Sequence, residues 1–317
     1  MKAIILQAPG DINQLQPVDI TVPELQAGEV LVRVKAIGIN PVDVKSRAGK
    51  GVYGRLKEEK PLILGWDISG EVTQSRSDRF AVGAEVFGMV NFPGHGKAYA
   101  EFVAAPADQL ALKPLKVSHE EAAAATLAAL TAWQIIVQRA NVRAGQRVLI
   151  QSAAGGVGHF AVQIARHLGA HVTGTASLKN KDFVLGLGAD AYIDHSTVDW
   201  DSYGDQFDFV LDTIGGRNAD HSLIVTRPGA TLISIPTGLG ADLTERSKDK
   251  KVDAAFYLVQ SNGQDMTALA ELLEQGVIKA HVSAVYPFDE MASAHQQVET
   301  GKTVGKVVVN VGASPYL

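Results

Sequence analysis

The run Arg147-Val148-Leu149-Ile150-Gln151-Ser152-Ala153-Ala154-Gly155-Gly156-Val157-Gly158 passes from a short apolar strand into a glycine-rich turn. A helix then follows, with Ala161, Ile164, Ala165 and Leu168 on one face and Gly169 as its stop. The turn has the spacing G-x-G-x-x-G, with Ala153 in the first slot. Gly155 lets the backbone come close to a pyrophosphate, and Gly158 lets the helix pack closely on the strand. Ala154, Gly155, Gly156, Val157 and Gly158 thereby carry backbone N–H groups to the positive end of a helix dipole. Because another strand begins at His171, the turn is expected to bind a dinucleotide; the plainer alternative is a purely structural turn.

The end of that second strand bears on cofactor choice. A site that prefers NAD carries Asp or Glu about 20 residues beyond the glycines, where a carboxylate binds the ribose hydroxyls. Nineteen residues past Gly158 stands Ser177, within Thr175-Ala176-Ser177-Leu178-Lys179-Asn180-Lys181. A carboxylate would repel a 2′-phosphate, whereas the Ser177 hydroxyl and the ammonium groups of Lys179 and Lys181 would bind one. NADPH is the expected cofactor. Alternatively, each lysine simply solvates a helix start.

Around this block the pattern alternates between strand and helix. Arg147 to Gln151, His171 to Ala176, Ala191 to Asp194, Phe207 to Asp212 and Ala230 to Ile235 are short apolar runs suited to a sheet covered on both faces. Val252 to Val259 offers a sixth strand and Asp265 to Gln275 a further helix. Such alternation predicts an α/β fold with a doubly wound parallel sheet. Before it, the chain is rich in glycine and alternates with period two, as in Glu29 to Ile37, where Arg33 and Lys35 face away from the valines. Ser118 and Glu121 have the capping-box spacing ahead of an alanine-rich helix. We expect a β-rich domain made of residues 1–118 and 281–317, with a nucleotide-binding domain of residues 119–280 inserted between them.

The 317 residues and a prior of roughly 150 residues per domain agree with two domains. A net charge of −5 gives no cationic face for nucleic acid or an anionic membrane. The chain has no cysteine, which removes disulfides, a thiol nucleophile and thiolate-bound zinc. The longest apolar stretch, Ala122 to Val137, falls short of the about 20 residues a membrane helix needs, and the N-terminus lacks a cleavable apolar core. The expectation is a soluble cytoplasmic protein acting on a small molecule. There is no G-x-S-x-G, H-E-x-x-H or Walker lysine to suggest a hydrolase or an NTPase.

Several further segments are specific in combination: Gly38-Ile39-Asn40-Pro41-Val42-Asp43, Gly65-Trp66-Asp67-Ile68-Ser69-Gly70, Thr131-Ala132-Trp133, Leu187-Gly188-Ala189-Asp190, Asp212-Thr213-Ile214-Gly215-Gly216 and Gly305-Lys306-Val307-Val308. With the glycine turn, they make the chain resemble the medium-chain dehydrogenase/reductase superfamily, in its zinc-free quinone oxidoreductase (zeta-crystallin-like) branch. The resemblance implies a Rossmann domain inserted into a GroES-like catalytic domain. It also implies hydride transfer from NADPH to a quinone or an α,β-unsaturated carbonyl compound. Zinc-dependent relatives carry a cysteine where this chain has Asn40, a histidine–glutamate pair where it has Trp66-Asp67, and a third ligand near Leu127. No metal is therefore expected. Other readings are a zinc-independent alcohol dehydrogenase and a non-catalytic NADPH-binding sensor or structural protein.

By the same resemblance, the loop holding Asn40 and Asp43 lies beside the nicotinamide. Asn40 is expected to hydrogen-bond a substrate carbonyl, or else to form an Asx turn before Pro41. Asp43 is placed with the cofactor residues, with holding the loop or pairing with Arg47 as its structural alternative. Lys45 stands where some relatives have tyrosine; it either stabilises enolate charge or is a surface lysine. Tyr53, after Gly49-Lys50-Gly51-Val52, is a candidate proton donor or a core side chain. Thr131, His195, Thr213, Ile214, Gly215, Ile235, Pro236, Thr237 and Lys306 complete the expected cofactor contacts, Lys306 as a cation on the phosphates. A homodimer is expected through the apolar edge of Val252–Val259, with Phe256, Tyr257 and Val259 on it.

Overall fold

Glu29–Ile39 alternates apolar and charged side chains into an eleven-residue strand, and the first unit of the fold is assembled on it. A computed structural model of the chain describes residues 1–236 and 238–312. They divide into two compact units, residues 1–130 with 259–312 and residues 131–236 with 238–258.

In the first unit the elements begin with β1 (Lys2–Leu6), β2 (Leu15–Asp19), β3 (Glu29–Ile39), α1 (Pro41–Arg47) and α2 (Tyr53–Leu56). They continue with β4 (Asp67–Ser75), β5 (Glu85–Met89), β6 (Phe102–Pro106), β7 (Leu110–Leu112) and α3 (His119–Ala124). Next comes α4 (Leu127–Trp133), whose last residues enter the second unit. That unit holds β8 (Arg147–Ile150), α5 (Gly156–His167), β9 (His171–Ala176), α6 (Lys181–Gly186) and β10 (Ala191–Asp194). It also holds β11 (Phe207–Asp212), α7 (Arg217–Val225), β12 (Thr226–Ser234), α8 (Ala241–Asp249) and β13 (Asp253–Phe256). The chain then returns to the first unit with α9 (Gly263–Glu274), β14 (Val282–Pro287), α10 (Met291–Glu299) and β15 (Lys306–Asn310).

The second unit is the expected parallel sheet. Its order is β10-β9-β8-β11-β12-β13, and every neighbouring pair runs parallel. The order reverses at β8, the strand that leads into the glycine turn. Leu149, Phe207, Val210, Leu223 and Leu232 pack beneath it with Trp200. In the first unit a mixed sheet runs β14-β15-β3-β4-β5-β7, with β6 also paired to β3. Its register sets Val307 opposite Ile39 and Asp67 opposite Gly38, so three neighbouring strand ends lie in a row.

Four expectations change. The unit boundaries fall at 130/131 and 258/259 instead of 118/119 and 280/281. Ala123 and Ala124 of α3 pack with Ala36 and Val308 of the mixed sheet, and α9 lies on β7, so both helices belong to the first unit. The alanine-rich helix is broken into α3 and α4, because the Leu127 N–H donates to Asp67 Oδ1 at 3.1 Å instead of continuing the ladder. Its start is as expected: Glu121 N–H donates to Ser118 Oγ and Ser118 N–H to Glu121 Oε2. The segment after Asn40 is the helix α1, not a loop; Pro41 opens it and Asp43 reaches back to the Asn40 N–H at 2.8 Å. Finally, β13 is four residues long; Phe256 is exposed, Tyr257 half-buried and Val259 buried. Among the described residues, no helix is long and apolar enough to cross a membrane.

Candidate functional site

In the second unit, β8 ends at Ile150 and the chain turns through Ser152, whose φ is +50°. The turn is tied down from below. Ser152 N–H donates to Thr175 Oγ1 at 3.0 Å, Thr175 Oγ1 to Gln151 Oε1 at 2.8 Å, and Thr213 Oγ1 to the Gln151 carbonyl at 2.9 Å. The helix α5 starts at Gly156 with Gly155 as N-cap in extended conformation. Its first N–H groups, on Gly156, Val157 and Gly158, have no partner within the helix. Gly158 is required by close approach: a Cβ there would lie 2.1 Å from the Ser152 carbonyl oxygen and 2.8 Å from Ala153 Cα. Gly155, half-buried, leaves its side of the turn open apart from Ser152. This cradle fits the pyrophosphate of a dinucleotide.

Ser177 follows β9 directly, in extended conformation, and its hydroxyl makes no capping bond to the turn that follows. Lys179, Lys181 and His195 are exposed around it. One acid stands nearby, because Asp194 is in register with Ala176. Its Oδ1 accepts from Ser196 N–H at 2.9 Å and Ser196 Oγ at 2.6 Å, which holds its carboxyl below the usual range.

The next two strand ends converge on Asp212, fully buried. Its carboxylate accepts from Ile214 N–H and Gly215 N–H, and from Ser234 Oγ on β12 at 2.8 Å. Ile235 N–H in turn donates to the Asp212 carbonyl at 3.1 Å. Thr213, Ile214, Gly215, Ile235 and Pro236 are thus held at one edge of the sheet, with Ile214 exposed. Thr237 lies outside the described residues. Thr131 is buried within α4.

The first unit brings together a polar cluster that is nearly dry. Lys306 Nζ donates to Asn40 Oδ1 and, at 3.0 Å, to the Ile39 carbonyl; Asn40 Nδ2 donates to Asp67 Oδ2 at 2.7 Å. Lys306 Nζ and Asp67 Oδ2 are 3.8 Å apart, and all three side chains are buried. Gly38 makes room for this, since a Cβ there would sit 2.5 Å from the Ala123 carbonyl and 3.0 Å from Asp67 Cβ. Burial raises Asp67 and lowers Lys306, and their mutual attraction offsets only part of this. Lys306 is therefore not the exposed phosphate contact that was expected: its first place in β15 turns it inward.

Asp43 takes its structural alternative, holding the segment after Asn40, and both its oxygens are occupied inside this unit. Oδ2 accepts from the Asn40 N–H, and Oδ1 from the Tyr99 hydroxyl at 2.9 Å. Arg47 pairs with Glu299 at 2.8 Å instead of with Asp43. Burial, then the Asp67 charge, pushes Asp43 up to about 7. Tyr99 Oη also lies 2.8 Å from His295 Nε2, and burial holds that imidazole down at about 3. Lys45 and Tyr53, on α1 and at the start of α2, are half-buried. As site residues, Tyr99, His295, Gln151, Thr175 and Asp212 were not expected; signals were available for Asp212, which directly precedes the Thr213-Ile214-Gly215 segment, and for Tyr99, whose segment Ala98-Tyr99-Ala100-Glu101-Phe102 also carries the resemblance.

One arrangement resembles a hydrolase triad. Ser69 Oγ lies 2.8 Å from His119 Nδ1, and His119 Nε2 3.2 Å from Glu85 Oε1. Ser69 is fully buried with its hydroxyl also at the Val86 carbonyl, so no ester or amide reaches it.

Two family descriptions match the chain: an alcohol dehydrogenase GroES-like domain over residues 26–115 and a zinc-binding dehydrogenase over residues 187–309. A chloroplastic quinone-oxidoreductase homolog of Spinacia oleracea is 31% identical, covering 95% of each chain. An NADPH-dependent alkenal/one oxidoreductase of Arabidopsis thaliana is 32% identical over 98% of this chain and 79% of its own length. The solved quinone oxidoreductase of Coxiella burnetii superposes with a TM-score of 0.92 at 35% identity, covering 98% of this chain and 99% of its own. The second family description names zinc, but the residues here do not fit that ion. Asn40 and Asp67 are held by the Lys306 ammonium, and Leu127 supplies a backbone N–H donor where a ligand would need a lone pair. Among the described residues, no group of three or more histidines and carboxylates is arranged to hold a metal. On these grounds of sequence, fold and site, the chain belongs to the medium-chain dehydrogenase/reductase superfamily, in its quinone oxidoreductase branch.

Proposed function

We propose that the chain is an NADPH-dependent oxidoreductase that reduces a quinone or an α,β-unsaturated carbonyl compound without a metal ion. The observation that carries this reading is the glycine turn, with N–H groups of Gly156 to Gly158 free at the start of a twelve-residue helix on the β8 switch strand. The named activities of the spinach and Arabidopsis relatives support the acceptor class.

Ala154, Gly155, Gly156, Val157 and Gly158 would hold the pyrophosphate. Ser177, Lys179, Lys181 and His195 would hold the 2′-phosphate, and Thr131, Thr213, Ile214, Gly215, Ile235 and Pro236 the remainder. When bound, the dihydronicotinamide supplies a hydride. An electrophilic acceptor needs no Lewis acid if a donor meets the oxygen on which charge develops. Asn40 offers an amide N–H for that oxyanion, and the Lys45 ammonium adds positive charge. The Tyr53 hydroxyl or water gives the proton that completes reduction, so one hydride and one proton are added across the acceptor. We also propose a homodimer in which the open edge of β13, with exposed Phe256, pairs with the same edge of a second copy.

Steady-state NADPH oxidation with a panel of quinones and enones tests the reading. Acceptor-dependent turnover is expected. Tight NADPH binding with no turnover on any member would replace the enzyme with a cofactor-binding sensor.

A further inference from the structure

We propose that Lys306 and Asp67 act as a pair of positioning residues that fix the direction of the Asn40 side-chain amide, so that Asn40 presents a hydrogen-bond donor and never an acceptor. An asparagine amide has an acceptor end and a donor end of nearly equal shape, and an isolated one turns over freely between them. Here each end faces a group with one possible role. Lys306 Nζ has only hydrogens to give, so the atom facing it is Oδ1; the Asp67 carboxylate only accepts, so the atom facing it is Nδ2. Reversing the amide would set donor against donor and acceptor against acceptor within a buried cluster.

The strand register builds the arrangement. Lys306 opens β15, Asn40 follows the end of β3 and Asp67 opens β4, on three adjacent strands. The Ile39 carbonyl takes a second Lys306 hydrogen and keeps the ammonium from leaving. Of the two Nδ2 hydrogens, one is used by Asp67, which leaves one for a ligand. The catalytic use of that hydrogen, on an oxyanion, rests on the function proposed above; the fixed direction of the amide does not.

Two measurements test this. Lys306→Met alone would leave Asp67 buried without a partner, so the variant is the pair Lys306→Met with Asp67→Asn, which removes both charges together. It is expected to lower kcat at least tenfold while the KM and Kd for NADPH stay within twofold. In an Asn40→Ala background the same pair should change kcat less than twofold, because the residue it positions is gone. A tenfold rise in NADPH Kd, or a full additional loss in the Asn40→Ala background, would overturn the proposal by making Lys306 a phosphate ligand or an independent contributor. Nitrogen NMR of the wild-type side chains reads the lock without turnover. The Lys306 ammonium should be protected from exchange, with cross-peaks to Asn40, both before and after NADPH is added. An ammonium in free exchange, or one that leaves Asn40 on NADPH addition, would refute it. Protected signals in a protein with no acceptor-dependent turnover would leave the lock standing and remove the proposed function instead.

Discussion

The Tyr99 hydroxyl donates to Asp43 Oδ1 at 2.9 Å while its oxygen lies 2.8 Å from His295 Nε2, so one phenol joins two buried groups of opposite titration behaviour. His295 Nδ1 has no hydrogen-bond partner. With Asp43 ionised, the single phenol hydrogen is committed to Asp43, so the phenol oxygen accepts from His295 and the imidazole carries its proton on Nε2.

This pairing sets the pH dependence of stability. Asp43 is raised from 3.8 to about 7 by burial and by Asp67, with Tyr99, Lys306 and the Asn40 N–H pulling it back. Its contribution is present below the unfolded value of 3.8 and is lost as pH rises through 7. His295 is lowered from 6.5 to about 3 by burial and by Arg47, so its contribution is present above 6.5 and is lost on acidification. Between pH 4 and 6.5 the two slopes, each about 1.4 kcal/mol per pH unit, cancel. Asp43→Asn imitates the protonated carboxyl and leaves His295 alone. Its unfolding free energy, from urea titration, should fall more steeply than that of the wild type from pH 6.5 to 4.5, by about 1.4 kcal/mol per unit. Parallel curves for the two proteins would contradict the assignment.

Gly158→Ala places a methyl 2.1 Å from a backbone oxygen that cannot swing aside. The turn must shift, at a cost of about 1–3 kcal/mol in stability. NADPH should bind at least about tenfold more weakly, because the N–H groups move with the turn. Isothermal titration with the folded variant checks this; unchanged affinity would remove the turn from the cofactor site.

Ser177→Asp tests the nucleotide preference. The new carboxylate would repel a 2′-phosphate and accept from ribose hydroxyls. One charge-assisted hydrogen bond is worth roughly 1.5–3 kcal/mol, so NADPH should weaken at least about tenfold while NADH binds no worse. Fluorescence titration of both cofactors gives the comparison. Equal binding of NADH and NADPH by the wild type would overturn the preference whatever the variant does.

Phe256→Glu puts a charge on the open edge of β13. If two copies pair there, light scattering at micromolar concentration should show a dimer for the wild type and a monomer for the variant. A monomeric wild type would dismiss the interface.

Much of the parallel unit was legible because each of its signals is local. The strands His171–Ala176, Ala191–Asp194 and Phe207–Asp212 have the predicted bounds, since apolar runs of that length between glycines and helix caps leave little choice. The break between α3 and α4 was not legible, because its cause is Asp67, sixty residues away in the chain. Lys306 was misplaced for the same reason. A lysine at a strand start reads as a surface cation, and only the alignment of β15, β3 and β4 reveals that it faces Asn40 and Asp67. Tyr99 and His295, 196 residues apart, gave no sequence signal of a shared network.

Isotopic labelling reads hydride delivery to an acceptor carbon directly. NADPH deuterated at the nicotinamide C4, in each of the two stereochemical forms, is mixed with the protein and a simple enone, and the product is examined by mass spectrometry. A saturated ketone with one deuterium at the former β-carbon is expected from one of the two labelled forms. A saturated ketone free of deuterium from both forms, or no reduced product while NADPH remains bound, would contradict it.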